Sequence, residues 1–245
     1  MWRVINHHDI HPTIEIGRSP ATISIKLGTL PPAVRMVSRL GGLLKIVKQN
    51  FPGPLPSFAP YHLLLVIQVV GQSSAVGRQA LAKSTGLGEG AIRTVLTRLK
   101  LEGYIVVSAS GCSLTSKGER LYSELKSSMS AMMALRKTPL TVGEHQVAIV
   151  VRGAAHRVTN GIDQRDAAIK AGADGATTFV IRGQKFQVPG GSKDCESDYP
   201  DDAWRVLRND LEPSEGDAVI ICGSSHGQLS KIGALSAALS LLQRA

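Results

Sequence analysis

The clearest hydrophobic pattern in the chain lies between residues 60 and 130. An apolar run, Tyr61–Val70, begins directly after Pro60 and predicts a buried first helix. Within Val76–Leu87, Leu81 and Ala82 face inward on a short second helix, Gly86 falls where a left-handed C-cap is needed, and Leu87 plugs the turn. A third helix follows over Glu89–Lys100, with Ile92, Val95, Leu96 and Leu99 at i, i+3, i+4 and i+7 as one buried stripe. Gly103 precedes a strand over Tyr104–Val107, a tip at Ser108–Gly111 and a return strand over Cys112–Leu114, a hairpin of wing length. Thr115 caps a last helix that runs through Lys117, Arg120, Leu121 and Leu125.

This order of elements predicts a winged helix-turn-helix. The outer face of the third helix carries Gly90, Arg93, Thr94, Thr97 and Lys100 or Leu101, the face a recognition helix turns toward a major groove. Arg93, Thr94 and Thr97 are the expected base readers, since arginine bonds guanine bidentately and threonine meets a base edge or a thymine methyl. Glu89 and Gly90 open that helix, and Gly90 lets its first turn approach the nucleic-acid backbone. Arg78, Arg98 and Lys117 are expected on phosphates, and Ser110 stands at the wing tip. Winged helices also serve protein contacts and RNA, so fold alone does not decide the partner.

Upstream, Val34, Val37, Leu40, Leu44 and Val47 predict a leading helix over 33–50, closed by the stiff Phe51-Pro-Gly-Pro-Leu-Pro loop. Residues 1–34 have no clear period and read as an irregular extension. Its His7, His8 and His11 could bind a metal but read as an incidental exposed cluster, and Met36 is an alternative start.

Downstream, strands and helices alternate. Strands are predicted at Val147–Val151, Thr177–Arg182, Phe186–Val188 and Ala218–Cys222, and helices at Asp163–Ala171, Asp201–Leu211 and Lys231–Gln243. This predicts a small α/β domain with a mostly sequential sheet over 138–245, after a linker at 138–144. The whole is an α+β chain of two domains: an extension over 1–34, the winged helix-turn-helix with its leading helix over 35–137, and the α/β domain.

Charge sharpens the division. The formal net charge is +9, distributed as +5 over residues 1–60, +6 over 61–137 and −2 over 138–245. The excess is confined to the half that carries the recognition helix, as a polyanion footprint requires. Only 4% of residues are aromatic against 43% hydrophobic, so aliphatic side chains build the core. Cys112, Cys195 and Cys222 are too few and too widely spaced for a disulfide framework or a zinc motif, which fits a reducing cytoplasm. No apolar run approaches the ~20 residues of a membrane span, and no cofactor or metal is expected.

Two segments of the second domain are candidate ligand sites. Gly223, Ser224 and Ser225, between a strand and a helix, can expose amides and hydroxyls to an anion, although the favoured reading is that Ser225 caps the helix and Gly223 makes the turn. Asp163, Gln164, Arg165 and Asp166 crowd one helical turn, where Arg165 can hold a carboxylate or phosphate; equally, this is a solvated first turn.

The string Gly86–Thr94 resembles archaeal winged-helix proteins that carry a small α/β C-terminal domain of unassigned function. The resemblance continues through Gly161–Gly172 and Gly175–Thr178 and spans roughly residues 60–245. It implies a transcriptional regulator and brings no ligand and no catalytic residues. The expected partners are double-stranded DNA, an unknown small-molecule effector and a second copy of the chain, with no membrane. The alternative is an enzyme acting on a nucleotide or cofactor with a fused winged helix, the arrangement of archaeal CTP-dependent riboflavin kinases. Against it, the Gly-rich nucleotide segment and the Pro-Gly-Thr-Leu-Asn type element are absent, and no Ser/His/Asp set or carboxylate pair is recognisable.

Overall fold

The computed structural model describes Leu43, Ile46, Val47 and residues 57–243 except Ser74. The expectations for residues 1–34, His7, His8, His11 and Met36 lie outside the described residues. Of the leading helix, Leu43, Ile46 and Val47 are helical, and Leu43 and Ile46 are fully buried.

The first domain is built from α1 (Pro60–Gly71), α2 (Arg78–Thr85), α3 (Glu89–Leu101), β1 (Ile105–Ser108), β2 (Gly111–Leu114) and α4 (Ser116–Ser128). Gly86 closes α2 at φ +73°, a left-handed conformation that glycine adopts without Cβ strain, and its amide donates to Ala82 O at 2.9 Å. Buried Thr85 donates its hydroxyl to Leu81 O at 2.7 Å, so the turn into α3 is fixed from within. The antiparallel hairpin β1–β2 runs from Ile105 opposite Leu114 to Ser108 opposite Gly111. Val76 adds a third, one-residue rung by exchanging backbone bonds with Cys112, which ties the wing to the entry of α2.

The motif Leu114-Thr115-Ser116-Lys117-Gly118 has a steric reason. Thr115 Oγ1 accepts from Gly118 N at 3.1 Å and donates to Gly103 O at 2.6 Å. This draws the first turn of α4 onto the wing root, where a Cβ on residue 118 would collide with Tyr104 O.

The second domain contains β3 (Met133–Leu135), β4 (His145–Val151), α5 (Ile162–Lys170), β5 (Gly175–Arg182), β6 (Lys185–Gln187), α6 (Cys195–Asp198), α7 (Ala203–Leu211), β7 (Ala218–Ser224) and α8 (Gly227–Leu242). Its sheet order is β3-β4-β7-β5-β6 with every neighbouring pair antiparallel. Helices and strands alternate as predicted, but the sheet is not sequential: the last strand, β7, inserts at the centre. That position matches its composition, since all seven of its residues are buried. One face, carrying Ala148, Val150, Phe179, Ile181, Val219 and Ile221, packs with Trp204, Leu207 and Leu211 of α7. The other face, carrying Val147, Ile149, Val151, Val180, Ile220 and Cys222, shares a core with α5 and α8.

The domain boundary also differs. Residues 138–144 are no linker: Gln146, 2% exposed, donates Nε2 to the carbonyls of Thr138, Thr141 and Gly143 and accepts from the amide and hydroxyl of Thr138. One buried amide side chain thus folds that loop onto the sheet. Strand β3, which the sequence does not predict and whose residues fall inside the expected 35–137 domain, pairs with β4 and belongs to the second domain. The crossing lies earlier, where Ser130 N donates to Val150 O and Met129 bridges Val151.

The two domains share one core. Helix α8 is apolar almost all round, with ten of its sixteen residues buried, because it is covered by the sheet and α5 on one side and by the first domain on the other. Its small residues set the distance to α5: a Cβ at Gly233 would lie 2.6 Å from Ala173 Cβ and from Cys222 Sγ.

Two outcomes are expected. Gly233→Ala, although it improves helix propensity by about 1 kcal/mol, lowers stability by about 1–3 kcal/mol through overpacking, read as a reduced urea midpoint. The second concerns buried His62, whose Nδ1 accepts from Ala59 N at 2.9 Å and whose pKa burial lowers to about 4. The unfolded imidazole takes up a proton near its ordinary value of 6.5 while the folded one does not, so stability is full above that pH. It falls as pH drops from about 6.5 toward 4, by on the order of 2 kcal/mol between pH 6.5 and 4.5. Since glutamine at this position keeps an acceptor for the N-cap amide, His62→Gln is expected to flatten this pH dependence of the thermal midpoint; an unchanged slope would exclude His62 as its source.

Candidate nucleic-acid interface

Helix α3 presents two unlike faces. Ile92, Val95, Leu96 and Leu99 are buried, and Arg93, Thr94, Thr97 and Lys100 are exposed. Between the exposed face, the wing and the start of α2 lies a groove of about 460 Å³. Arg78, Arg93, Thr97 and Lys100 line it on the helical side, and Val107, Ser108 and Ala109 on the wing side. Three cations therefore converge on one concave surface, with no carboxylate among the described residues that line it.

Thr94 and Thr97 donate their hydroxyls back to Gly90 O at 3.1 Å and Arg93 O at 2.9 Å. Each retains acceptor lone pairs and an outward methyl, which suits an amino group or a thymine methyl.

The remaining predicted interface residues are placed unequally. Glu89, Gly90 and Ser110 are exposed at the start of α3 and at the wing tip but do not line the groove. Lys117 is also exposed, yet its Nζ donates to Glu102 O at 2.6 Å and sits 4.3 Å from the Tyr104 ring centroid, so it secures the end of α3. Arg98 is a correction. It is 6% exposed, its Nη1 donates to Ile46 O at 2.9 Å, and its guanidinium lies 5.2 Å from the Phe58 ring centroid. Position 98 is only about 60° round the helix from Val95, on the inner edge of the stripe, where it holds the leading segment. Lys100 belongs to the groove, and its spacing of seven residues from Arg93 was the signal for it.

The two candidate ligand segments do not form one cleft. Gln164 Nε2 donates to Ser240 Oγ near the end of α8, whereas Ala173, just past α5, lies beside Gly233 nearer its start, so α5 and α8 run antiparallel. The segments at the starts of these helices are therefore at opposite ends of the pair. At Gly223–Ser225 the anion position is already taken. Asp174 Oδ2 accepts from Ser225 N at 2.8 Å and its Oδ1 lies 3.5 Å from Ser224 Oγ. Ser224 is fully buried, and a Cβ on Gly223 would run into Val142 O. A second anion there would meet a carboxylate. In the other segment Gln164 is 1% exposed and spent on Ser240, while Arg165 pairs with Asp166 at 3.2 Å. Beside it lies a shallow depression of about 120 Å³ lined by Asn160, Gly161, Arg165 and Thr178.

Burial and the neighbouring Asp174 carboxylate push the Cys222 thiol up to about 12, and burial raises Cys112, so neither is a nucleophile at neutral pH. Among the described residues no three His, Cys, Asp or Glu side chains converge as a metal centre would need. No described helix is long and apolar enough to cross a membrane.

Comparison with known proteins also finds two parts in the chain. Residues 61–129 match the family model of the CggR N-terminal DNA binding domain, and residues 142–241 match a domain of unknown function (DUF4443). The chain is 35% identical over 79 residues to the central glycolytic genes regulator of Priestia megaterium (strain DSM 319 / IMG 1521). That stretch is 32% of this chain and only 23% of the regulator, so the likeness covers less than a quarter of that protein. A solved structure, hypothetical protein PH0730 from Pyrococcus horikoshii OT3, is similar across both domains, with a TM-score of 0.59, 26% identity, and coverage of 76% of this chain and 93% of that one. The chain thus has two domains, of which the first matches a DNA-binding family and the second one without an assigned role.

Proposed function

We propose that the protein is a DNA-binding transcriptional regulator in which α3 enters the major groove and the wing follows the phosphate backbone. The observation that carries this reading is the exposed groove, without a carboxylate among its described lining residues, that joins Arg78, Arg93, Thr97 and Lys100 to the wing. The match of residues 61–129 to a DNA-binding domain and the glycolytic regulator's printed role support it. In this reading Arg93, Thr94 and Thr97 meet base edges, Arg78 and Lys100 meet phosphates, and Glu89, Gly90, Ser110 and Lys117 stand at the margins. Two copies of the chain read two half-sites, and the second domain senses a small anionic ligand.

Coupling between the halves has a physical route. Gln228, in the first turn of α8, donates Nε2 to Ser84 O at 2.7 Å, and its Cγ lies 3.4 Å from where a Cβ of Gly86 would be. The helix that spans the second domain thus touches the turn that aims α3. A shift of α8 changes the angle of the reading helix, and DNA binding biases α8 in return.

Anisotropy titration with duplex from the region upstream of the protein's own gene tests the reading. Submicromolar binding at low salt is expected. Arg93→Ala weakens it by about 1–3 kcal/mol, as the loss of one bidentate base contact does. Arg78→Ala lowers the slope of log K against log salt by about 0.9, as the loss of one phosphate contact does. Micromolar or weaker binding that Arg93→Ala leaves unchanged would contradict the proposal.

A further inference from the structure

We propose that the cavity between β3 and α7 is a binding site for a small organic anion, one that carries a carboxylate or a phosphate on an apolar body. The cavity holds about 540 Å³, within the range of small-molecule sites. Its lining combines apolar Ala134, Leu135, Ala203 and Val206 with the cations Arg136, Lys137 and Arg205 and the carboxylates Asp201 and Asp202.

The state of those two arginines carries the argument. Among the other described arginines of this domain, Arg152 is bound by Asp217, Arg157 by Leu241 O, Arg165 by Asp166, and Arg208 by Glu196. The side chains of Arg136, Arg182 and Arg205 have no hydrogen-bond or ion-pair partner among the described residues. Of these three, Arg136 and Arg205 line the same cavity, one from the chain just after β3 and the other from the first turns of α7. Among the described residues no carboxylate of this domain forms an ion pair with either arginine. The acids nearby are accounted for. Lining residue Lys137 pairs with Glu144, Asp201 accepts from Ala203 N at 2.8 Å, and the exposed Asp202 pairs with neither arginine. Two unpaired guanidinium groups in one lining with aliphatic side chains suit an anionic head on a carbon body, because arginine binds planar oxyanions bidentately.

The position gives the site a use. Strand β3 begins five residues after the end of α4 and is the edge strand through which the chain leaves the first domain. A ligand held between Arg136 and Arg205 clamps that strand to α7. This consequence rests on the proposed regulatory reading; occupancy of the cavity does not.

Isothermal calorimetry on the full chain without DNA tests the site separately from that reading. Phenyl phosphate and benzoate are the two organic probes, and inorganic phosphate is the bare ion. One saturable site per chain is expected for at least one organic probe, tighter than for inorganic phosphate, and the stronger of the two identifies the head group. Arg136→Ala and Arg205→Ala each weaken it about ten-fold or more, as the loss of a charge-assisted contact does. Arg182→Ala, an exposed arginine outside the cavity, leaves it unchanged. If an alanine variant fails to fold, Arg136→Lys and Arg205→Lys keep the charge, remove the fork and are expected to weaken binding in the same order. Absence of saturation with both organic probes, or equal loss in Arg182→Ala, would overturn the proposal.

Discussion

The arrangement depends on how α8 is buried. A helix that is apolar on all sides cannot sit at the edge of a domain; it needs cover all round. The sheet and α5 bury one side through the small residues around Gly233, and the predominantly apolar α1 helps to bury the other. Helices α1 and α8 are therefore two halves of one hydrophobic contact, and neither domain completes its core alone. Interfaces between domains of one chain are commonly polar and permissive of motion. A contiguous aliphatic core is the opposite case.

The same contact determines how the reading helix is held. From one side, Arg98 turns inward to the carbonyl of Ile46 and the ring of Phe58, so the back of α3 is fastened to the leading segment. From the other, Gln228 holds the end of α2 just before the turn. Lys117 closes the far end of α3 from the first turn of α4. The exposed residues Arg93, Thr94 and Thr97 thus project from a helix pinned at its back and at both ends, a preorganisation that reduces the entropy lost when a rigid groove is read.

Much of the first domain was legible because its periodicity is strong and its punctuation unambiguous. The stripe Ile92, Val95, Leu96 and Leu99, the cap at Gly86 and the cap at Thr115 each have a single geometric solution, and the structure adopts it. The second domain was legible in its elements and not in its connections. Seven consecutive buried residues identify β7 as a central strand, but nothing local says which strands flank it. Strand β3 is three residues long with no buried position, too short for an alternation to register. Residues 138–144 have a linker's composition, and only the distant amide of Gln146 makes them structure.

The candidate site shows the same division. Which face of α3 looks outward follows from the helical period, so Arg93 and Thr97 were readable, whereas Arg98 lies at the margin of the stripe and its direction is decided by a carbonyl 52 residues away. The Gly-Ser turn before α8 has the composition of an anion cradle, but Asp174, distant in sequence, already fills it.

Native-state hydrogen exchange on the full chain tests the shared core most directly. Amides of α8 between Ile232 and Leu239 and amides of α3 between Ile92 and Leu99 are expected to exchange with the same opening free energy and the same denaturant dependence, as one cooperative unit. Opening of α3 at a distinctly lower free energy, with α8 still protected, would show that the two domains unfold separately and that the contact between them does not hold the reader in place.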